Sequence, residues 1–278
     1  MHFSTLEHTP ISDITACMNA AFAEYEIPIQ WTEETLLQKM RIEDIDLSLS
    51  AGAFDNRKLA GVILMGADEE NGTRRVWDGG TGVAPGYRGQ KLTEKMFAYV
   101  LPLLRQSGAK LMLLEVLENN TGAYNIYEKL GCTPTRLLHA YKGDITITAK
   151  THHTIELLNS YDADELTKFW DWPPAWQQMN QRISNRGVSV ATIGIKLENK
   201  IAAYAQYDNA TMRVHQFAVA KEHRRKGLAT ALFSHIANAC SGPVLIVNID
   251  AGSENTNAFL QAIGLKKHIS QYEMKMEL

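Results

Sequence analysis

The sequence predicts a mixed α/β protein that carries one fold twice. Three observations predict it. A segment from Gly82 to Phe97, GVAPGYRGQKLTEKMF, returns as AVAKEHRRKGLATALF from Ala218 to Phe233. Val83 and Val219, Arg88 and Arg224, Leu92 and Leu228, and Phe97 and Phe233 all stand 136 residues apart. Each segment closes a strand-like run and opens a helix-like one. Each is then followed by an apolar strand, a polar Asn-rich turn and a short helix ending in glycine. A chain of 278 residues has room for two such domains. The boundary is expected within 143–152, giving domains 1–148 and 149–278.

The elements follow in order. In the first half, Ser12–Tyr25 and Thr32–Met40 read as helices. Leu47–Phe54, Leu59–Met65 and Arg74–Val83 read as strands, joined by turns at Asp55-Asn56 and Asn71-Gly72. Lys91–Gln106 reads as a helix with Leu92, Met96, Val100, Leu103 and Leu104 on one face. Pro102 is expected to kink it or weaken its last turn. Lys110–Leu117 reads as a buried strand and Thr121–Leu130 as a helix stopped by Gly131. In the second half, His153–Leu158 reads as a strand, and Asp162–Asn185 as a helix broken at Pro173-Pro174. Val188–Leu197, Lys200–Tyr207 and Arg213–Val219 read as strands. Leu228–Ala239 is a helix, Val244–Asp250 a strand, and Asn255–Ile263 a helix stopped by Gly264. The pattern is antiparallel hairpins early and a strand–helix–strand unit late.

Bulk composition narrows the function. The apolar fraction of 45% suits a globular protein with a real core. The net charge is −3 and the basic residues are scattered, so nucleic acid is not an expected partner. No apolar run reaches the ~18 residues of a membrane helix, and the N-terminus lacks a signal-peptide pattern. The three cysteines, Cys17, Cys132 and Cys240, lie far apart, in no CxxC spacing. That argues against a disulfide framework and a zinc site, and a reducing cytoplasm is the simplest home. His152-His153 has no ligand-spaced companion, so no metal is expected.

The segment from Val219 to Ala229 carries the first chemical signal. It joins a strand to a helix, and the first N–H groups of a helix have no intrahelical partner and carry partial positive charge. Such a terminus holds phosphate oxygens. Gly227 lets the backbone approach an anion, and Arg224 and Arg225 add directed donors.

Arg224-x-x-Gly227-x-Ala229 resembles the acetyl-CoA signature of the GNAT acetyltransferases, R/Q-x-x-G-x-G/A. Val83, Arg88, Gly89, Lys91 and Thr93 form the first-half counterpart, with Lys91 where glycine is expected and Thr93 where glycine or alanine is. The run from Asn120 to Cys132 is similar to the family's N-x-x-A-x-x-x-Y-x-K-x-G-F segment. The resemblance gives Tyr127 the role of acid toward the departing CoA thiolate; spacing alone also fits a half-buried aromatic on an amphipathic helix. In the second half Leu260 stands at the tyrosine's place. The resemblance implies two GNAT folds, acetyl-CoA as cosubstrate and transfer of its acetyl group to an amine of a small molecule or peptide. Backbone N–H groups around Val83 or Val219 are the expected oxyanion donors. Asp78 and Glu115, on the flanking strands, are the candidate bases, and either also reads as a structural carboxylate. His215 is the analogous polar residue in the second half, and also reads as a structural histidine. Ala21 to Tyr25 with Pro28, and Trp170, Trp172 and Trp176, are candidates for acceptor pockets or for core packing. The alternative function is a CoA-binding sensor or interaction protein with degenerate sites. Which half is catalytic, and whether both hold CoA, stays open.

Overall fold

A computed structural model describes residues 1–27, 29–147 and 152–278. The expected boundary at 148/149 and Pro28 lie outside the described residues. The chain forms two compact units. The first takes Met1–Thr135 together with Glu273–Leu278; the second takes Arg136–Tyr272.

In the first unit, β1 (His2–Thr5), β2 (Ala51–Asp55), β3 (Lys58–Glu70) and β4 (Thr73–Val83) form antiparallel neighbours in that order. β5 (Leu111–Leu117) lies parallel to β4, and residues 273–277 of the last strand, β12 (Lys266–Glu277), lie beside β5. The hairpin between β3 and β4 turns on Asn71 and Gly72, both at positive φ, as a two-residue turn requires. Helix α1 (Ile11–Phe22) packs Ile14, Cys17 and Met18, and α2 (Glu33–Ile42) packs Leu36 and Met40, into one core with Leu6, Val62 and Leu64. Thr32 caps α2 in a reciprocal box with Thr35. Helix α3 (Leu92–Gln106) buries Leu92, Met96, Phe97, Val100, Leu101 and Leu104.

Pro102 does not weaken the last turn of α3. It lies on the exposed face, and Ser107 still donates to the Leu103 carbonyl at 2.9 Å. The carbonyl that proline leaves without its donor belongs to exposed Ala98, where water can serve it. Helix α4 (Thr121–Lys129) ends before Gly131 at φ +99°.

The second unit orders its strands β12, β6 (Thr133–Gly143), β11 (Val244–Asp250), β10 (Arg213–Val219), β9 (Lys200–Asp208), β8 (Ala191–Leu197) and β7 (Glu156–Leu157). β10 and β11 run parallel, and β6 meets β11 antiparallel. Helices α7 (Leu228–Ala239) and α8 (Glu254–Ala262) contribute Leu228, Leu232, Phe233, Ile236 and Leu260 to its core.

The structure corrects three expectations. The strand over 153–158 is only two residues long. The helix over 162–185 is two short helices, α5 (Ala163–Thr167) and α6 (Asn180–Ser184), with an irregular Pro- and Trp-rich run between them. The strand expected from Leu47 begins at Ala51, because Asp46 takes the Ser48 N–H and hydroxyl into a turn. No helix among the described residues is long and apolar enough to cross a membrane.

Candidate active site

The same local architecture recurs in each unit. β4 pairs with β5 only from Arg75/Leu111 to Trp77/Leu113, then the two strands run on unpaired to Val83 and Leu117. β10 pairs with β11 only at Arg213/Leu245 and Val214/Ile246. Two parallel strands that splay leave backbone donors and acceptors facing a gap, where an extended amide-bearing ligand can bond. A bulge marks each splay. On β4, Gly79 is the extra residue between Asp78 and Gly80; on β10 it is His215, between Val214 and Gln216.

Beyond each splay comes the loop. A single 3-10 turn, Pro85–Tyr87 or Lys221–His223, leads to an arginine and then to the helix. Each loop enters the left-handed region twice at matching positions. In the first these are Gly89 (φ +77°) and Lys91 (φ +56°); in the second, Arg225 (φ +60°) and Gly227 (φ +82°). Each loop therefore holds one glycine and one side-chain-bearing residue there, in opposite order. A left-handed non-glycine costs roughly 1–2 kcal/mol. Lys91 and Gly227 are the N-caps, and neither helix has a side-chain cap bond. The first helical bonds are Lys95 N–H to the Lys91 carbonyl and Ala231 N–H to the Gly227 carbonyl. The preceding N–H groups, at 92–94 and 228–230, so lack helical acceptors. A Cβ built on Gly89 or Gly227 meets no protein atom. This is an open, donor-rich cradle fitted to an anion.

The first unit's cleft, about 530 Å³, is lined by Phe22, Tyr25, Val83, Arg88, Thr93, Asn120 and Tyr127, with Glu24 and Glu26 also on its wall. The buried Tyr127 hydroxyl donates to Asp78 Oδ2 at 3.1 Å. Asp78 also accepts from the Thr81 hydroxyl (2.7 Å) and from the Gly80 N–H (2.9 Å). Burial pushes the Asp78 carboxyl up from the ordinary carboxylate range, and its three donors oppose that shift. Burial, then the Asp78 charge, hold Tyr127 well above an ordinary phenol. Tyr25 is raised by burial as well. Asn120 caps α4 by accepting from the Ala123 N–H. Glu115 lies half-buried on β5 and does not line the cleft.

The second unit's cleft is larger, about 730 Å³, and takes in Val219, Arg224, Arg225, Gly227 and Ala229. Trp170 and Trp172 line it, whereas Trp176 is buried. Its floor is an amide network. Tyr204 joins Trp170 Nε1 to Gln216 Oε1, Gln216 Nε2 donates to the Gln178 carbonyl, and Asn248 donates to Gln178 Oε1. His215 lines this cleft with Nε2 buried and without a partner. Burial, then Arg186 and Arg213, push it down to about 3, so it is neutral at pH 7. His153 bonds the Lys226 carbonyl through Nε2. At the places of Asp78 and Tyr127 stand Val214 and Leu260, both in the unit's apolar core.

Comparison with known proteins agrees in both halves. A model described as the acetyltransferase (GNAT) family matches residues 14–132, and one described as an acetyltransferase (GNAT) domain matches 157–276. The N-alpha-acetyltransferase 30 of Schizosaccharomyces pombe is 29% identical over 90 residues, which are 32% of this chain and 60% of that protein. The chain thus spans less than two thirds of that relative. A tandem GNAT protein from the clavulanic acid biosynthesis pathway superposes with a TM-score of 0.73 at 13% identity, covering 99% of this chain and 98% of that one. A GCN5-related N-acetyltransferase from Sphaerobacter thermophilus gives 0.70 at 14% identity, over 99% and 95%. At these identities the structural likeness speaks for the fold.

Proposed function

The chain belongs to the GNAT acetyltransferase family through both of its halves, and from that premise we propose an acetyl-CoA-dependent N-acetyltransferase whose chemistry sits in the first unit. The observation that carries this reading is the buried Tyr127–Asp78 pair at the first cleft, set against Val214 and Leu260 at the same places in the second. Acetyl-CoA supplies the activated acyl group. The cradle for its pyrophosphate is the N–H array at the start of α3 or α7, with the backbone of Gly89 or Arg225 and the charge of Lys91 or Arg225. Val83 and Val219 end the splayed strands, where N–H groups can meet the thioester oxygen. Thr93, Ala229 and Asn120 border the same space.

In this reading the acceptor amine loses its proton to Asp78, whose raised pKa suits a base. Tyr127 gives its proton to the sulfur that leaves, and regains one from Asp78 across their 3.1 Å bond. An amine that arrives as a cation first leaves one proton to solvent; the second, lost on attack, is the one the pair returns after Tyr127 has protonated the sulfur. Asp78 sits behind the cleft wall and meets it through Tyr127, which lines it; Glu115 neither lines the cleft nor bonds that tyrosine, and is the weaker candidate base. Glu24 and Glu26 give the first cleft an acidic wall, which suits an amine that arrives as a cation.

The second unit keeps the cradle and lacks the acid. It fits CoA held without turnover at that site, which narrows the sensor alternative to half of the chain. Thiol release from acetyl-CoA with a panel of amines tests the proposal. Amine-dependent release that Tyr127→Phe removes supports it; binding of CoA with no amine-dependent release would support the sensor alternative instead.

A further inference from the structure

The signature arginine of each repeat makes the same three kinds of contact. Arg88 Nε points to the Val83 carbonyl at 3.4 Å, Nη2 donates to the Ala21 carbonyl at 3.0 Å, and Nη1 donates to Glu24 at 2.7 Å. Arg224 Nε donates to the Val219 carbonyl at 3.1 Å, Nη2 to the Phe169 carbonyl at 2.9 Å, and Nη1 to Asp171 at 3.0 Å. The partners differ in every other respect. Ala21 and Glu24 sit at the end of α1; Phe169 and Asp171 sit in the irregular run after α5. The sequences of these two segments are unrelated, yet each offers one carbonyl and, two or three residues later, one carboxylate. A planar fork with fixed donor directions accounts for that sameness, since the guanidinium dictates where acceptors must stand.

We infer that Arg88 and Arg224 are positioning residues. Each ties the segment that covers the acceptor side of its cleft to the strand end that precedes the anion loop, and neither side chain serves as a phosphate ligand. The tied segments are cleft walls: Ala21, Phe22, Glu24 and Tyr25 in the first unit, Phe169 and Trp170 in the second. The ion pairs are part-exposed and by themselves worth little. The carbonyl bonds matter more, because they are charge-assisted and, at Ala21, fall in the last turn of a helix, where a cation is favoured. The arginine thereby joins the half of the cleft that receives the amine to the half that receives the acyl donor. The inference rests on the loop being the CoA site, but its first readout does not.

The test uses the full chain with Arg88→Ala, Arg88→Lys and Arg224→Ala. Hydrogen exchange reads the tie directly. In Arg88→Ala the amides of 19–26 should exchange at least about tenfold faster, with 92–104 unchanged; in Arg224→Ala the same should hold for 167–172. Lysine, with one donor centre for three acceptors, should restore only part of the protection. CoA titration supplies the second readout, and affinity should stay within about threefold of wild type. With the best amine of the panel, Arg88→Ala should raise the amine KM at nearly constant kcat and constant KM for acetyl-CoA. Unchanged exchange in the cover segments, or a tenfold loss of CoA affinity, overturns the inference. A wild-type chain that bound no CoA would remove the loop assignment while leaving the exchange result to decide the tie.

Discussion

The two clefts share a frame and differ in what stands on it. In the first, a tyrosine and an aspartate meet inside the protein. In the second, those places hold Leu260 and Val214, packed into the core. The loops invert the contrast. The second has glycine at the helix N-cap, and the first forces Lys91 into the same left-handed geometry. The bulge, the 3-10 turn, the arginine tie and the uncapped helix recur in both. The comparison separates what the fold needs from what the chemistry needs. Backbone geometry at the loop is kept even where the residue is poorly suited to it, whereas the acid pair gives way to Val214 and Leu260 in a unit that keeps the fold.

Transplanting one unit's pair into the other gives the largest expected effect. Asp78→Val with Tyr127→Leu makes the first cleft resemble the second. Amine-dependent thiol release should fall by at least the ~10²–10⁴-fold of a lost general acid, while circular dichroism and the melting transition show a folded chain. Retained turnover in a folded double variant would move the chemistry elsewhere. Gly227→Glu comes next. It places a carboxylate against the second cradle in a left-handed position, so a titration should read one CoA per chain in place of two. Two undiminished sites would break the assignment of the second loop. This experiment requires the full chain, because the second unit includes residues 136–143 of β6, paired to β11, and a fragment beginning at 150 would lose that strand.

A smaller effect concerns His215. Its folded pKa, about 3, lies below the unfolded value, so the unfolded chain binds the extra proton. Its contribution is present above pH 6.5 and is lost as pH falls toward 3. Between pH 7.5 and pH 5 that loss should be about 2 kcal/mol. His215→Leu should flatten the pH dependence of urea unfolding of the second unit by that amount; an unchanged slope would mean that the imidazole is not held neutral. The smallest effect sharpens the loop comparison. Lys91→Gly relieves a left-handed side chain but adds unfolded-state entropy, for a net gain below about 1 kcal/mol. A loss of stability would show that the lysine side chain is itself bonded.

Much of this frame is written in local sequence. The periodicities of α7 and β11 set their ends without tertiary help, and Asn71-Gly72 announces its hairpin. The 136-residue offset places both loops. Other features are non-local. β1, β6 and β12 escape a local reading: β6 begins with Thr-Pro-Thr, and β12 with two lysines and a histidine, although the alternation of Met274 and Met276 was there to be read. The cover of the second unit is irregular because prolines and tryptophans replace a helical stripe. The Tyr127–Asp78 bond joins residues 49 positions apart, and the arginine tie to Glu24 spans 64; neither spacing carries a sequence signal. The His215 bulge is set by strand register, which composition does not encode.

If the first unit does the chemistry, two variants measured side by side will separate. Tyr127→Phe and Gly227→Glu are compared in the full-length chain, on one amine, by thiol release from acetyl-CoA. The phenylalanine keeps the ring against Phe97 and removes only the hydroxyl. In Tyr127→Phe, kcat should fall ~10²–10⁴-fold with little change in the KM for acetyl-CoA, while Gly227→Glu should turn over nearly as the wild type does. An inactive Gly227→Glu beside a fully active Tyr127→Phe would contradict that assignment and place the active site in the second unit.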